Sequence, residues 1–517
     1  MDFDYSWAYL WCKMNNKSKI TETFYKISYL LIAFGVFLAF FGIYNPYSYW
    51  FDELFSVIAS SSNVSTLFTN FILPDVHPPL YQLVLKGWIL LFSDSEISTR
   101  LLSLLFSYLA FFVIMFWGRR KLPKLALITT LIFFSTNNLF IYYSQETRAY
   151  SMMLFFATVV TILFINNITY DEIQPKYLLY ILVVLIMLSL THYFGLVYTG
   201  IILIYLLFLN VSKKKYQNTG MILITGILCM VWPVCHFLYG NITSKMGGHF
   251  WIESKGWQNT TEVASNAIFP QISKGLSKFF SITNQHITTI IFIILLAAIF
   301  FFAYMKSKKE NNLPYTNDSS KAAKGIIILI VSFLVLIILI DLHSPMSTTR
   351  NFIVLLPAVS IVIGIAANNF FNINKPFVYL LLLILAVSNI YLFTNRYSSA
   401  TGRVPTQNYK EASRYMVECK ESKDYNFYYI ERQSGFRKLN YNRARFYIDR
   451  LYSENEIIIK GVTIEELFFL EKPYLLLIQH NQDAYYSIIE KLKYENIDFK
   501  FYIPEQRVLG AVVICVD

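Results

Sequence analysis

Long apolar runs alternate with short polar segments over the first three-quarters of the chain. Eleven such runs stand out, over residues 24–44, 99–117, 125–142, 149–165, 177–190, 195–209, 220–239, 287–305, 324–340, 352–370 and 377–394. Most approach the roughly 20 residues that a helix needs to cross a bilayer. The fifth and sixth runs are short, with a brief turn at 191–195 between them. The first run is long and lacks a small-residue cleavage site after it, so a retained span is expected. The pattern changes at residue 395. From there helix-like stretches ("NYKEASRYMVEC", "TIEELFFL", "AYYSIIEKLKYE") alternate with strand-like ones ("YNFYYIE", "PYLLLIQH", "DFKFYI", "GAVVICV"). That alternation predicts a small α/β domain.

Charge orients the spans. With the N-terminus inside, the basic segments "GRRKLPK", "VSKKKYQN" and "KSKKENN" all fall on the inner side, as the positive-inside rule requires. Three soluble pieces then face outward: a loop at 45–98, a second loop at 240–286 and the tail at 395–517. The expected organisation is a transmembrane domain over 1–394 and an extracytoplasmic α/β domain over 395–517. The expected location is the cell membrane of a bacterium, crossed many times.

Composition agrees. The chain is 55% hydrophobic and 15% charged, against about 25% charged in a soluble domain. From Asn395 onward 18 Lys/Arg face 17 Asp/Glu, and before it 26 face 16, so the net +11 sits almost wholly in the apolar part. Topology accounts for that excess, and nucleic acid is not expected as a partner. No internal repeat of the transporter kind is visible, and the tail has no phosphate-binding glycine motif. Of five cysteines, Cys229 and Cys235 lie in an apolar run and read as core. Cys419 and Cys515 share the tail and could pair, although the odd total argues against a disulfide framework.

The polar residues that need explaining gather at outer helix ends. Asp52 and Glu53 stand side by side in "NPYSYWFDELFSV", directly after the first span, and open an amphipathic stretch suited to the membrane surface. "LPDVHPPLYQ" brings Asp75, His77 and Tyr81. "YYSQETRAY" brings Glu146, Arg148 and Tyr150, "THYFG" brings His192, and "DLHSPMSTTRN" brings Arg350. Polar groups at membrane depth usually line a cavity. The plain alternatives are helix caps for the acids, a rigid turn at Pro78–Pro79, helix-end anchors for the arginines and a structural hydrogen bond for His192.

The ordered set "FDE", "DVHPPLYQLVLKGWILLFSDSEISTRLLS", "YSQETRAYSM" and "THYFG" resembles the family 39-type membrane glycosyltransferases of the GT-C superfamily. These include protein O-mannosyltransferases and lipid A aminoarabinose transferases. The likeness runs from about Trp50 to Val197 and weakens beyond. It implies a GT-C-like helical membrane fold that moves a sugar from a polyprenyl-phosphate carrier to an acceptor outside the cytoplasm. It also implies Asp52 as catalytic base with Glu53 as its partner. His77, Arg148 and Arg350 would lie at the donor phosphate, and Glu146 and Tyr150 in the Glu-x-Arg-x-Tyr element. Asn351 follows Arg350 where Tyr is usual, a departure from the pattern.

The chemistry fits. A carboxylate can take the acceptor's proton while the bond from anomeric carbon to phosphate breaks, and guanidinium groups stabilise the leaving phosphate. One base and no second nucleophile point to inversion. No cofactor is fixed by the residues, though Asp52, Glu53, Asp75 and His77 could together hold a divalent ion. Expected partners are the lipid-linked sugar, a glycan, lipid or protein acceptor, and membrane lipids. Two other readings stay open: a flippase or transporter for lipid-linked glycans, and a polysaccharide polymerase or ligase. The tail is expected to shape acceptor access.

Overall fold

A computed structural model of the chain describes residues 5–44, 48–169, 175–239, 257–270, 285–304, 315–371, most of 374–391, 409–422, 425–430, 446–448, 459–479, 482–502 and 511–516. Among the described residues seven helices are long and apolar enough to cross a membrane: Glu22–Phe41, Glu96–Lys121, Tyr150–Thr169, Tyr193–Ser212, Tyr216–Tyr239, Lys321–His343 and Thr349–Phe371. Five shorter apolar helices accompany them, at Leu80–Leu91, Lys124–Thr136, Tyr177–Ser189, Thr289–Tyr304 and Val378–Ser388. Each of the eleven expected runs meets one of these helices, and Leu80–Leu91 is an addition within the first loop. Most of the expected second loop, 240–256 and 271–284, lies outside the described residues; its described part is the helix Trp257–Ile268.

The run expected at 125–142 is not one helix. Asn137 leaves helical geometry (φ −68°, ψ 137°), and its side chain accepts the Leu139 N–H at 2.9 Å, starting the new helix Asn138–Tyr143. An asparagine that offers its own oxygen to the backbone is a helix start more readily than a helix interior. The run expected at 352–370 begins as a 3-10 helix, Thr349–Leu355, and becomes α-helical at Leu356.

The Cα trace divides into two compact units. The first comprises Met1–Ile43, Ile72–Tyr81 and Leu101–Leu392. Burial ranks its helices. The most apolar stretch of Thr349–Phe371 is 89% buried, against 22% in Glu22–Phe41 and in Tyr216–Tyr239, so the former is interior and the latter two are peripheral. Exposed Ile224, Ile227, Leu228 and Val231 on Tyr216–Tyr239 are what a face turned to lipid carries. Lys124–Thr136 is buried from Leu125 to its end, except at Leu127, and is gripped on two sides by glycines. A Cβ at Gly35 would lie 2.5 Å from the Ser135 carbonyl oxygen, and one at Gly364 would lie 2.4 Å from that of Ala126. Such close approach of backbones suits helices that lack a hydrophobic drive to associate.

The second unit comprises Tyr44–Phe71, Gln82–Arg100 and Phe393–Asp517, so it takes in most of the first loop together with the tail. Among its described residues the strands are β1 (Asn426–Ile430), β2 (Ile459–Val462), β3 (Tyr474–Gln479), β4 (Phe499–Tyr502) and β5 (Ala511–Val516), in the order β2-β1-β3-β5-β4. β1 runs parallel to β2 and β3, while β5 runs antiparallel to β3 and β4. The strands are apolar at successive positions because both sheet faces are covered. Tyr485, Ile488, Ile489 and Leu492 of the helix Gln482–Tyr494 pack against Tyr428, Leu476, Ile478 and Ile514. The helix Tyr409–Ser422 meets the other face, where the Cys419 and Cys515 sulfurs stand 3.6 Å apart without a disulfide. The four expected strands are present, and β2 is an addition. "TIEELFFL" forms only the 3-10 turn Glu466–Phe469, because Leu470 turns extended (ψ 142°). The start signal itself is real: Thr463 and Glu466 cap each other reciprocally, at 2.9 and 3.2 Å.

Candidate active site

In the second unit, Asp52 and Glu53 occupy the first turn of the helix Phe51–Ser61. The helix forms there for local reasons. Glu53 reaches back to the Trp50 N–H (3.3 Å), the two acids complement the positive helix start, and Leu54, Val57 and Ile58 bury one stripe. At its far end Lys86 donates to the carbonyls of Ser60 (3.3 Å) and Ser62, and Ser60 donates to the Gln82 side chain at 2.8 Å.

Glu53 is 1% exposed and Arg100 3%. Arg100 donates to the two Glu53 oxygens from Nε (3.1 Å) and Nη2 (2.9 Å), and from Nη2 to the Ser48 carbonyl (3.4 Å). Its guanidinium stands 5.6 Å from the centre of the Tyr49 ring. The Tyr49 hydroxyl bonds Thr99 Oγ1 and the Asp94 carbonyl at 2.7 and 2.8 Å. The tail joins in, since the Tyr447 hydroxyl accepts the Tyr49 N–H (2.8 Å) and donates to Glu96 (3.0 Å). Glu53 is therefore engaged in orienting the helix start, whereas Asp52, one position earlier, is half-buried.

In the first unit, residues from four separate segments converge. Asp75 and His77 lie in the irregular stretch before Leu80–Leu91, with His77 Nδ1 and Asp75 Oδ2 3.1 Å apart. Glu146 and Arg148 lie in the tight turn before Tyr150–Thr169, fixed by an Arg148 N–H donated to the Glu146 carbonyl (2.7 Å) and by Ser103 donating to the same oxygen (2.6 Å). His192 begins Tyr193–Ser212, and Arg350 lies in the 3-10 turn Thr349–Leu355. The His192 ring centre is 5.2 Å from that of His77 and 5.8 Å from that of Tyr150, and the Arg350 guanidinium is 5.5 Å from the Tyr150 ring centre. Arg148, Glu146 and Tyr150 are buried. Tyr81 is buried too, in a helix tied to the turn before His192 by a Leu80 N–H donated to the Leu190 carbonyl at 3.0 Å.

The cluster is electropositive, and its ionisations show it. Burial pushes the Asp75 carboxyl up, but His77, by charge and hydrogen bond, and then Arg148 outweigh it and hold the carboxyl at about 2. Burial, then the charges of His77, Arg350 and Arg148, push His192 well below the usual imidazole range, so its ring is neutral near pH 7. Among the described residues no three His, Cys, Asp or Glu side chains form a group able to hold a metal. Of the four residues considered as ligands, Glu53 pairs with Arg100 and Asp75 with His77.

Two contributors escaped the sequence reading. Arg100 looks like an ordinary charged helix start, and only the rule that a buried arginine needs a counterion would have flagged it. His236, buried near the end of Tyr216–Tyr239, contacts the Tyr193 hydroxyl (2.5 Å) through Nδ1 and the Leu73 carbonyl (3.2 Å) through Nε2, so it braces the stretch that carries Asp75. A histidine inside an apolar run was the available signal.

Residues 76–238 match the family of dolichyl-phosphate-mannose-protein mannosyltransferases. That segment holds His77, Arg148 and His192, while Asp52, Asp75 and Arg350 fall outside it. No curated protein matches the chain. Among solved structures, the chain is similar to ArnT from Cupriavidus metallidurans bound to undecaprenyl phosphate, with a TM-score of 0.54, 11% identity, and coverage of 94% of this chain and 97% of that one. It is also similar to the Archaeoglobus fulgidus oligosaccharyltransferase in complex with Zn and sulfate, with a TM-score of 0.51, 10% identity, and coverage of 93% and 72%. At such identities the likeness is one of fold, shared with ArnT and with the oligosaccharyltransferase.

Proposed function

We propose that this chain, which carries the GT-C glycosyltransferase fold, transfers a sugar from a polyprenyl-phosphate carrier to an acceptor on the extracytoplasmic side of the membrane. The observation that carries this reading is the convergence of His77, Arg148 and Arg350 with His192 and Tyr150 from four segments of one unit. A buried electropositive cluster is suited to an oxyanion, and two guanidinium groups suit a phosphate that gains charge as it leaves. The ArnT relative was solved with undecaprenyl phosphate, which is consistent with a lipid-borne phosphate here.

In the proposed reaction Asp52 takes the proton of the acceptor nucleophile. The nucleophile attacks the anomeric carbon, the bond from that carbon to the phosphate oxygen breaks, and the carrier leaves as polyprenyl phosphate with inversion. Arg148, Arg350 and His77 neutralise the phosphate. Glu53, bound to Arg100, orients the turn that presents Asp52. Three basic clusters assigned to the inner side by the charge rule support an outward-facing site.

The test is purified protein in lipid with a radiolabelled polyprenyl-phosphate monosaccharide and candidate acceptors. Label moving to acceptor with release of polyprenyl phosphate is the expected result. Retention of all label on the carrier, across glycan, lipid and peptide acceptors, would sink the proposal.

A further inference from the structure

His192 is held by one ring nitrogen and offers the other. It caps the helix Tyr193–Ser212 from extended geometry (φ −160°, ψ 147°), and its Nδ1 accepts the Phe194 N–H at 3.1 Å. The ring proton of the neutral imidazole is therefore on Nε2. The residue is only 5% exposed, and among the described residues no acceptor lies within hydrogen-bonding distance of Nε2. A buried N–H without an acceptor is costly, and such groups persist where a ligand supplies the missing oxygen.

The surroundings indicate which oxygen. The ring centres of His77 and Tyr150 stand 5.2 and 5.8 Å from that of His192, and the charges of Arg350 and Arg148 reach it. Cations cannot accept from Nε2, but they would gather an oxyanion beside it. We infer that His192 Nε2–H donates a hydrogen bond to a phosphate oxygen of the lipid-linked substrate. The inference rests on the reading of this cluster as the phosphate site and gives His192 a task distinct from its neighbours. Arg148 and Arg350 supply charge, whereas His192 supplies one directed bond without adding charge, which fixes the rotation of the phosphate.

Two substitutions separate the ring's two nitrogens. His192→Asn places an amide oxygen where Nδ1 caps the helix but has no donor at the Nε2 position. His192→Gln can place an amide nitrogen near Nε2. The full-length variants are titrated in lipid nanodiscs with polyprenyl phosphate lacking sugar, alongside Arg148→Ala. His192→Asn is expected to bind about 10-fold more weakly, about 1.4 kcal/mol, with an unchanged melting temperature, and His192→Gln to bind within about 3-fold of wild type.

Wild-type affinity in His192→Asn would overturn the inference. So would a loss of affinity and melting temperature in His192→Gln with both intact in His192→Asn, which would mark a cap alone. Weakened binding of the sugar-bearing donor with intact binding of the bare carrier would move the bond to the sugar and also refute it. If Arg148→Ala weakens carrier binding and His192→Asn does not, this inference alone fails. If neither does, the phosphate-site reading fails with it.

Discussion

Arg100 holds the Glu53 carboxylate by two hydrogen bonds, 3.1 Å from Nε and 2.9 Å from Nη2, with both side chains buried. Two full charges inside a protein stabilise it only as a pair, and either one alone is a burden. Arg100→Met or Glu53→Leu alone is expected to destabilise the protein by about 3–5 kcal/mol. The double variant should recover most of that loss. Thermal unfolding in detergent of the two single variants and the double variant checks this, and additive losses would mean that the pair is not the stabilising unit.

Asp52 is the group expected to matter for rate alone. Asp52→Asn keeps the shape and removes the base. Turnover should fall about 10²–10⁴-fold, while the melting temperature and carrier affinity stay at wild-type values. Near-normal label transfer by this variant would remove Asp52 from the mechanism.

Arg148 and Arg350 should not tolerate lysine. A lysine keeps the charge but loses the planar fork that grips two phosphate oxygens. Each Arg→Lys change is expected to weaken polyprenyl-phosphate binding about 10-fold. Isothermal titration measures it, and unchanged affinity in both would place the phosphate elsewhere.

The Asp75–His77 contact sets an acid limit. The Asp75 carboxyl is held at about 2 in the folded protein against an ordinary 3.8. A depressed folded value means that the unfolded chain binds the proton first as pH falls. The stabilisation is thus fully present above about pH 4 and is lost toward pH 2. Wild type should exceed Asp75→Asn in melting temperature at pH 7, and the difference should shrink across pH 4 to 2. A constant gap over that range would show that the charge of Asp75 contributes nothing.

The lipid-facing architecture was legible because run length and hydropathy report directly on a span. Most of the first unit's cluster was legible too, since Asp75, His77, Arg148, His192 and Arg350 interrupt apolar runs at their ends. Several features were not. Arg100 sits 47 positions after Glu53, and no local pattern couples residues at that distance. The break at Asn137 changes neither the length nor the hydropathy of its run, because the cap is a single side-chain bond. The truncated turn at Glu466–Phe469 carries a genuine helix start, but a start signal does not say where the chain must turn to enter β3. His192 offered its residue type in sequence. Only the fold reveals which nitrogen is occupied.

The bonds of Tyr447 bear on how the chain can be cut and recombined. One hydroxyl in the tail satisfies the Tyr49 backbone and reaches Glu96, so it ties the tail to residues 44–71 and 82–100 within one compact unit. A chimera that imports a relative's tail alone would leave the Tyr49 N–H and Glu96 facing a foreign surface, three positions from Asp52. Importing the two loop segments with it keeps the joint whole. In this protein the second unit is discontinuous in sequence, and an engineer exchanging it would have to move three pieces at once.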